Sequence, residues 1–164
     1  MIRAKKSLGQ NFLIDREVLE KITNVVQIKD KTILDLGSCF GAYGHWALKN
    51  GAKHYTGIEL QNQFADNEFT LIEDDFLNRD VDSDIQNLTR TFQRIIVVAN
   101  LPYYITTPIV MKLLEESKII KEYYVMMQLE VAQRFTSKPS TKDYNSLSVF
   151  IQFKTTSSIA FKIP

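Results

Sequence analysis

Four short apolar runs, each ending on a residue capable of chemistry, constrain this chain more than any other feature. Thr32-Ile33-Leu34-Asp35-Leu36 stops at Gly37, and Tyr55-Thr56-Gly57-Ile58 stops at Glu59. Phe69-Thr70-Leu71-Ile72 runs into Glu73-Asp74-Asp75, and Ile95-Ile96-Val97-Val98-Ala99 runs into Asn100. Short, nearly continuous apolar runs are what strands buried on both faces look like. Helical spacing appears around them. Val18, Leu19, Ile22, Val25 and Val26 follow an N-cap at Asp15, and Ala42 to Asn50 is closed by Gly51. Pro108 opens a helix to about Glu116, and Leu129 to Phe135 form a short one. Strands alternating with helices predict an α/β fold, a doubly wound and mostly parallel sheet. Tyr123 to Gln128 reads as a fifth strand. Ser146 to Phe153 and Thr156 to Phe161 have no helix between them, so they are expected as an antiparallel hairpin completing seven strands.

The chain has 164 residues, 45% of them hydrophobic, which suits one domain, 1–164, with a real core and argues against disorder. No apolar run approaches the roughly 18 residues of a membrane span. The amino end, MIRAKKSLGQNF, is basic but lacks the apolar stretch of a signal peptide. A single cysteine, Cys39, excludes an internal disulfide framework and fits a reducing cytosol. One cysteine and two histidines are too few for a structural zinc site. A cytoplasmic, monomeric, metal-free protein is expected, with residues 1–14 as a basic arm.

The charge is near balance overall but uneven along the chain. From Glu59 to Asp84 the acids Glu59, Asp66, Glu68, Glu73, Asp74, Asp75, Asp80, Asp82 and Asp84 face Arg79 alone. The first sixteen residues carry Arg3, Lys5, Lys6 and Arg16 against Asp15, and Val131 to Pro164 carry Arg134, Lys138, Lys142, Lys154 and Lys162 against Asp143. Basic ends that meet in space can follow a phosphate backbone. Ordinary solvated surface charge is the competing explanation.

The strand ends hold the chemistry. In open α/β sheets, ligands bind outside the carboxyl ends of the strands. The turn Asp35-Leu36-Gly37-Ser38-Cys39-Phe40-Gly41 lets backbone approach a nucleotide closely. Glu59 can accept hydrogen bonds from two ribose hydroxyls, and Asp75 can bind an adenine amino group. Either acid can equally be a solvated strand terminus. No Lys-Ser/Thr pair follows the glycine turn and no G-x-G-x-x-G is present, so the better ligand is a nucleoside without phosphates, such as S-adenosylmethionine. In Asn100-Leu101-Pro102-Tyr103, the Asn100 side-chain oxygen and the Leu101 carbonyl can each accept a hydrogen from a flat aromatic amine. Proline holds Leu101 extended, and Tyr103 can stack on the base. A strand-ending turn with core aromatics is the plainer explanation of the same four residues.

At three stretches the sequence resembles the ribosomal RNA adenine N6-dimethyltransferases of the KsgA type, with the Erm enzymes as cousins. They are KKSLGQNFLID from Lys5 to Asp15, NLPYYITTPI from Asn100 to Ile109, and VMMQLEVAQRFTSKPSTKDYNSLSV from Val125 to Val149. The resemblance implies a Rossmann-like class I methyltransferase domain using S-adenosylmethionine. By resemblance, Asn11 and Leu13 lie against the cofactor beside Gly37. Glu59 binds the ribose, Asp75 the adenine, and Asn100 faces the methyl group. Asn100, Leu101, Pro102 and Tyr103 form the target-base site. Lys5, Lys6, Arg134, Lys138 and Lys142 are the expected RNA contacts, and the small ribosomal subunit in its immature form is the expected partner. The family's helical carboxyl-terminal domain has no counterpart in these 164 residues, and the chain is expected to act as the catalytic domain alone. Cys39 stands at the family's middle glycine, and only Leu60 to Glu68 link Glu59 to the third run. These departures motivate an alternative, a non-catalytic RNA-binding or ribosome-assembly module with a degenerate cofactor site. A DNA adenine methyltransferase fits less well, since Leu101 replaces the first proline of D/N-P-P-Y. A small-molecule methyltransferase has no use for the basic arm.

Overall fold

Strand β1 (Thr32–Leu36) lies at the centre of a parallel sheet, with β2 (His54–Glu59) and β3 (Thr70–Glu73) on one side and β4 (Ile95–Asn100) and β5 (Tyr123–Met126) on the other. The computed structural model describes residues 15–36, 42–59, 70–89 and 95–163. Among them the sheet has five strands, in the order β3-β2-β1-β4-β5. Chain order therefore reverses between β1 and β4. All five residues of β1, and Ile95 to Ala99 of β4, are buried, as strands covered on both faces must be.

The helices supply the covers. Helix α1 (Arg16–Val26) starts where the Asp15 carboxylate accepts the Glu17 N–H at 2.9 Å, the cap expected from the sequence. Helix α2 (Ala42–Lys49) ends before Gly51, whose φ of 95° is a conformation other residues resist. The Trp46 indole N–H donates to the Thr23 hydroxyl at 2.8 Å and ties α2 to α1. Leu19, Val26, Tyr43 and Ala47 from these helices form one core with Ile28, Ile33, Tyr55, Ile96 and Val98. Helix α4 (Thr106–Glu116) buries Thr106, Ile109, Val110 and Leu113. Its start is two residues earlier than the sequence suggests, which places Pro108 within the first turn, where a missing N–H does no harm.

Helix α3 (Val81–Thr89) is absent from the sequence reading, which sees only acids there. Asp80 makes the helix: its carboxylate accepts the Ser83 N–H at 3.0 Å. Neighbouring acids have tasks as well. Arg79 bonds to Asp74 at 2.7 Å and to Asp84 at 2.6 Å, so much of the acidic stretch is held in local structure.

By contact the chain divides into two compact units, Met1–Met126 and Met127–Pro164. The second holds α5 (Leu129–Thr136) and α6 (Ser146–Lys154). Here the expected hairpin is corrected: 146–154 is helix, and 155–163 carries no regular secondary structure. The run Leu147-Ser148-Val149-Phe150-Ile151 looks like a buried strand by composition. A capping box overrides it. The Asn145 side chain accepts the Leu147 and Ser148 N–H groups, and the Ser148 hydroxyl accepts the Asn145 N–H. The buried residues Ser148 and Ile151 then sit three apart, a helical spacing.

Gly44 shows how tightly α2 meets the sheet. A Cβ there would lie 2.7 Å from Cε1 of Tyr55 and 2.8 Å from its Cζ. Tyr55 is fully buried and its hydroxyl donates to Asp35, so the ring cannot step aside. Gly44→Ala is expected to destabilise the fold by about 1–3 kcal/mol despite alanine's better helix propensity. Thermal unfolding checks this, and a raised melting temperature would show that the ring is free to move.

Candidate functional site

The carboxyl ends of β1 to β5 all point the same way, and the ladders between them differ in length. The β1–β2 ladder runs to Leu36–Ile58 and the β4–β5 ladder to Asn100–Met126. The β1–β4 ladder stops at Leu34–Val97, two residues before β1 ends. The hydrogen-bonded ladder thus splits between β1 and β4, at the point where chain order reverses. This is the crevice position at which open α/β sheets hold ligands.

Asn100 is the last residue of β4 and half-buried at one lip of that split. The residues after it are anchored firmly. The Leu101 N–H donates to the Met126 carbonyl at 3.2 Å, and the Leu101 side chain is buried in the core. The Pro102 carbonyl accepts twice, from the Ile105 N–H at 3.2 Å and from the Thr106 hydroxyl at 2.9 Å. Tyr103, Tyr104 and Ile105 form a single 3-10 turn above these anchors. With its backbone held this way, the motif turns its tyrosines outward: Tyr103 is 51% exposed. Sequence reasoning identifies Asn100 to Tyr103 but misses Thr106 and Met126. The only signal for Thr106 is a hydroxyl residue four positions after the proline.

The acids follow strands on the β1 side of that split. Glu59 closes β2, in register with Glu73 at the end of β3. Asp75 follows β3 and is half-buried. Its carboxylate accepts the Leu77 N–H at 3.0 Å and caps the short turn Phe76–Asn78. The Asn78 side-chain amide donates to the other Asp75 oxygen at 3.4 Å. Each carboxylate oxygen has two lone pairs, so Asp75 is held in place and can still accept a further donor. That arrangement suits an adenine amino group. Lys5, Lys6, Asn11, Leu13, Gly37, Cys39 and the link Leu60–Glu68 lie outside the described residues.

Within β1, Asp35 is buried and accepts the Tyr55 hydroxyl. Burial, and after it the Asp35 carboxylate, pushes the Tyr43 phenol above its ordinary range, so it stays protonated. The Tyr43 hydroxyl has no hydrogen-bond partner among the described residues. The Asp35 carboxylate, two residues before Gly37, thus has two buried phenols in its surroundings. In the second unit, Arg134 lies on α5 and Lys138 and Lys142 on the loop before α6, all exposed.

A parallel sheet split at its switch point, with an acid closing β2 and another following β3, is the architecture of Rossmann-like methyltransferases. Solved structures of that kind superpose on the chain. A dimethyladenosine transferase from Plasmodium falciparum matches with a TM-score of 0.69 at 21% identity, over 87% of this chain and 52% of its own. The 23S rRNA methyltransferase ErmE matches with a TM-score of 0.61 at 24% identity, over 77% of this chain and 51% of its own. These likenesses establish the fold. The sequence goes further: the family model described as Ribosomal RNA adenine dimethylase matches residues 1–164, and the chain belongs to that family. A Ribosomal RNA small subunit methyltransferase A from Bacillus pumilus is 39% identical over 170 residues, 98% of this chain and 58% of that protein. The Lactococcus lactis protein of the same name is 39% identical over 169 residues, with the same two coverages of 98% and 58%. The chain therefore spans somewhat over half the length of the curated relatives it matches.

Proposed function

We propose that the chain is the catalytic part of an S-adenosylmethionine-dependent enzyme that methylates, and in full dimethylates, the N6 amine of adenine in small-subunit ribosomal RNA. The observation that carries this reading is the split between β1 and β4 with Asn100 at its lip and Leu101 anchored beside it. Family membership supplies the reaction class. The names of the relatives, which refer to ribosomal RNA of the small subunit, support the substrate.

In this reading Asn11, Leu13, Gly37, Glu59, Asp75 and Asn100 hold the cofactor, with Glu59 on the ribose and Asp75 on its adenine. S-adenosylmethionine, when bound, supplies an electrophilic methyl group. The chain's own task is to make a poor nucleophile attack. An amine conjugated to a purine has its lone pair delocalised into the ring. The Asn100 side-chain oxygen and the Leu101 carbonyl accept its two hydrogens and favour a pyramidal nitrogen whose lone pair faces the methyl. Tyr103 holds the base by stacking, after the base has been turned out of its strand. Catalysis is then mostly orientation, which is worth several powers of ten when reacting atoms are held in line. Lys5, Lys6, Arg134, Lys138 and Lys142 bind the RNA backbone.

Two measurements test the reading. Incubation of the protein with tritiated S-adenosylmethionine and unmethylated small subunits should label adenine in the RNA. Calorimetry should detect cofactor binding below millimolar concentration. Absence of both label and heat would favour the non-catalytic ribosome-assembly module instead.

A further inference from the structure

The turn after Asn100 carries two tyrosines, and only one has a task in the reading above. Tyr104 is 59% exposed, more than Tyr103 at 51%. The two are consecutive in the 3-10 turn Tyr103–Ile105. Such a turn has three residues per revolution, so successive side chains leave it about 120° apart. Two rings so arranged cannot grip the opposite faces of one flat base. Ile105 takes the third direction and is half-buried, which leaves both tyrosines on the outer side. The paired hydrogen bonds on the Pro102 carbonyl hold the backbone of the turn beneath them, so the side from which the Tyr104 side chain leaves it is set before any ligand arrives.

We propose that Tyr104 is a second base platform, stacking on the unpaired nucleobase next to the target adenine while Tyr103 takes the target itself. The proposal rests on the RNA-modifying function proposed above. Turning a base out of its strand leaves its neighbour without a stacking partner. An exposed ring one residue from the target's own platform offers that neighbour a new face. Stacking on tyrosine tolerates any base. The preferred substrate is therefore an adenine with at least one unpaired flanking nucleotide, whatever its identity, and not an adenine within a continuous duplex.

The test begins with wild-type protein and unmethylated small-subunit RNA, with the modified adenine mapped by digestion and mass spectrometry. A short RNA around that adenine is then made intact, with an abasic residue on its 5′ side, and with one on its 3′ side. Tyr104→Ala is expected to raise the Kd for the intact RNA about ten-fold to a hundred-fold. Tyr104→Phe should bind like wild type, and Tyr104→Leu, which keeps bulk but has no aromatic face, should behave like the alanine variant. On one of the two abasic RNAs, wild type and Tyr104→Ala should bind equally, because that RNA has already lost the contact. An unchanged Kd on intact RNA, or an equal loss on all three RNAs, overturns the proposal. Wild-type protein that modifies no RNA overturns the proposed function and this inference with it. Wild-type modification together with an unchanged Kd for Tyr104→Ala on intact RNA overturns the second platform alone.

Discussion

Asn100→Ala is expected to lower kcat for methyl transfer about 100- to 1000-fold, the range seen when one oriented polar group is removed from a reacting centre. The expectation follows from position. Asn100 ends β4 in register with Met126, beside the split where the β1–β4 ladder has already stopped. Its side chain is half-buried, so shortening it opens no large cavity. The loss of stability should stay near that of one hydrogen bond, about 1 kcal/mol. Affinity for S-adenosylmethionine should fall far less than kcat, because the acids at the ends of β2 and β3 are untouched. Asn100→Asp separates the two roles an amide can play. It keeps an accepting oxygen and loses the N–H donors, so it should retain more activity than alanine if acceptance is what matters. Single-turnover transfer to unmethylated small subunits, alongside calorimetry with the cofactor, reads both quantities. An alanine variant with more than half of wild-type activity would remove Asn100 from the reaction.

Much of the sheet can be read from sequence because its strands are buried on both faces. Ile95 to Ala99 leaves little choice: five apolar residues followed by Asn-Leu-Pro end a strand wherever they are placed. Glu59 stands out for the same reason, as the first polar residue after such a run, whereas Asp75 is only the third of three consecutive acids. Where two local signals compete, composition misleads. Around Ile151 the β-branched and aromatic content favours a strand. The decisive contacts are two side-chain caps between Asn145 and Ser148, and serine in place of the usual glutamate or glutamine makes that box easy to overlook. Around Asp82 the charge hides a helix whose cap, Asp80, counts as one more acid. The supports of the site are hard to see for a different reason. The Met126 carbonyl meets the Leu101 N–H across 25 positions of sequence, and a backbone acceptor leaves no residue-type signature. The early end of the β1–β4 ladder is likewise a property of register, invisible until the strands are paired.

Leu101→Ala is expected to damage stability and catalysis together, and the comparison with Leu101→Met shows why. The Leu101 side chain is 1% exposed, and its own carbonyl is one of the two acceptors assigned to the target amine. Truncation leaves a cavity and should lower the free energy of unfolding by about 2–5 kcal/mol. For a domain of this size that is a fall in melting temperature of roughly 4–20 °C. Methionine conserves volume and should lose less than about 1.5 kcal/mol. The N–H bond to Met126 survives both changes, so the strand end remains paired. What alanine loses is the plug that sets the depth of the carbonyl. A displacement near 1 Å at a reacting centre can lower the rate about 100-fold. Assayed well below its melting temperature, Leu101→Ala should therefore still show a kcat reduced about ten-fold or more, by the same sensitivity to placement. Leu101→Met should stay near wild type. Full activity in a folded but destabilised Leu101→Ala would mean that the backbone bonds at Met126 and Thr106 place the carbonyl without help from the core.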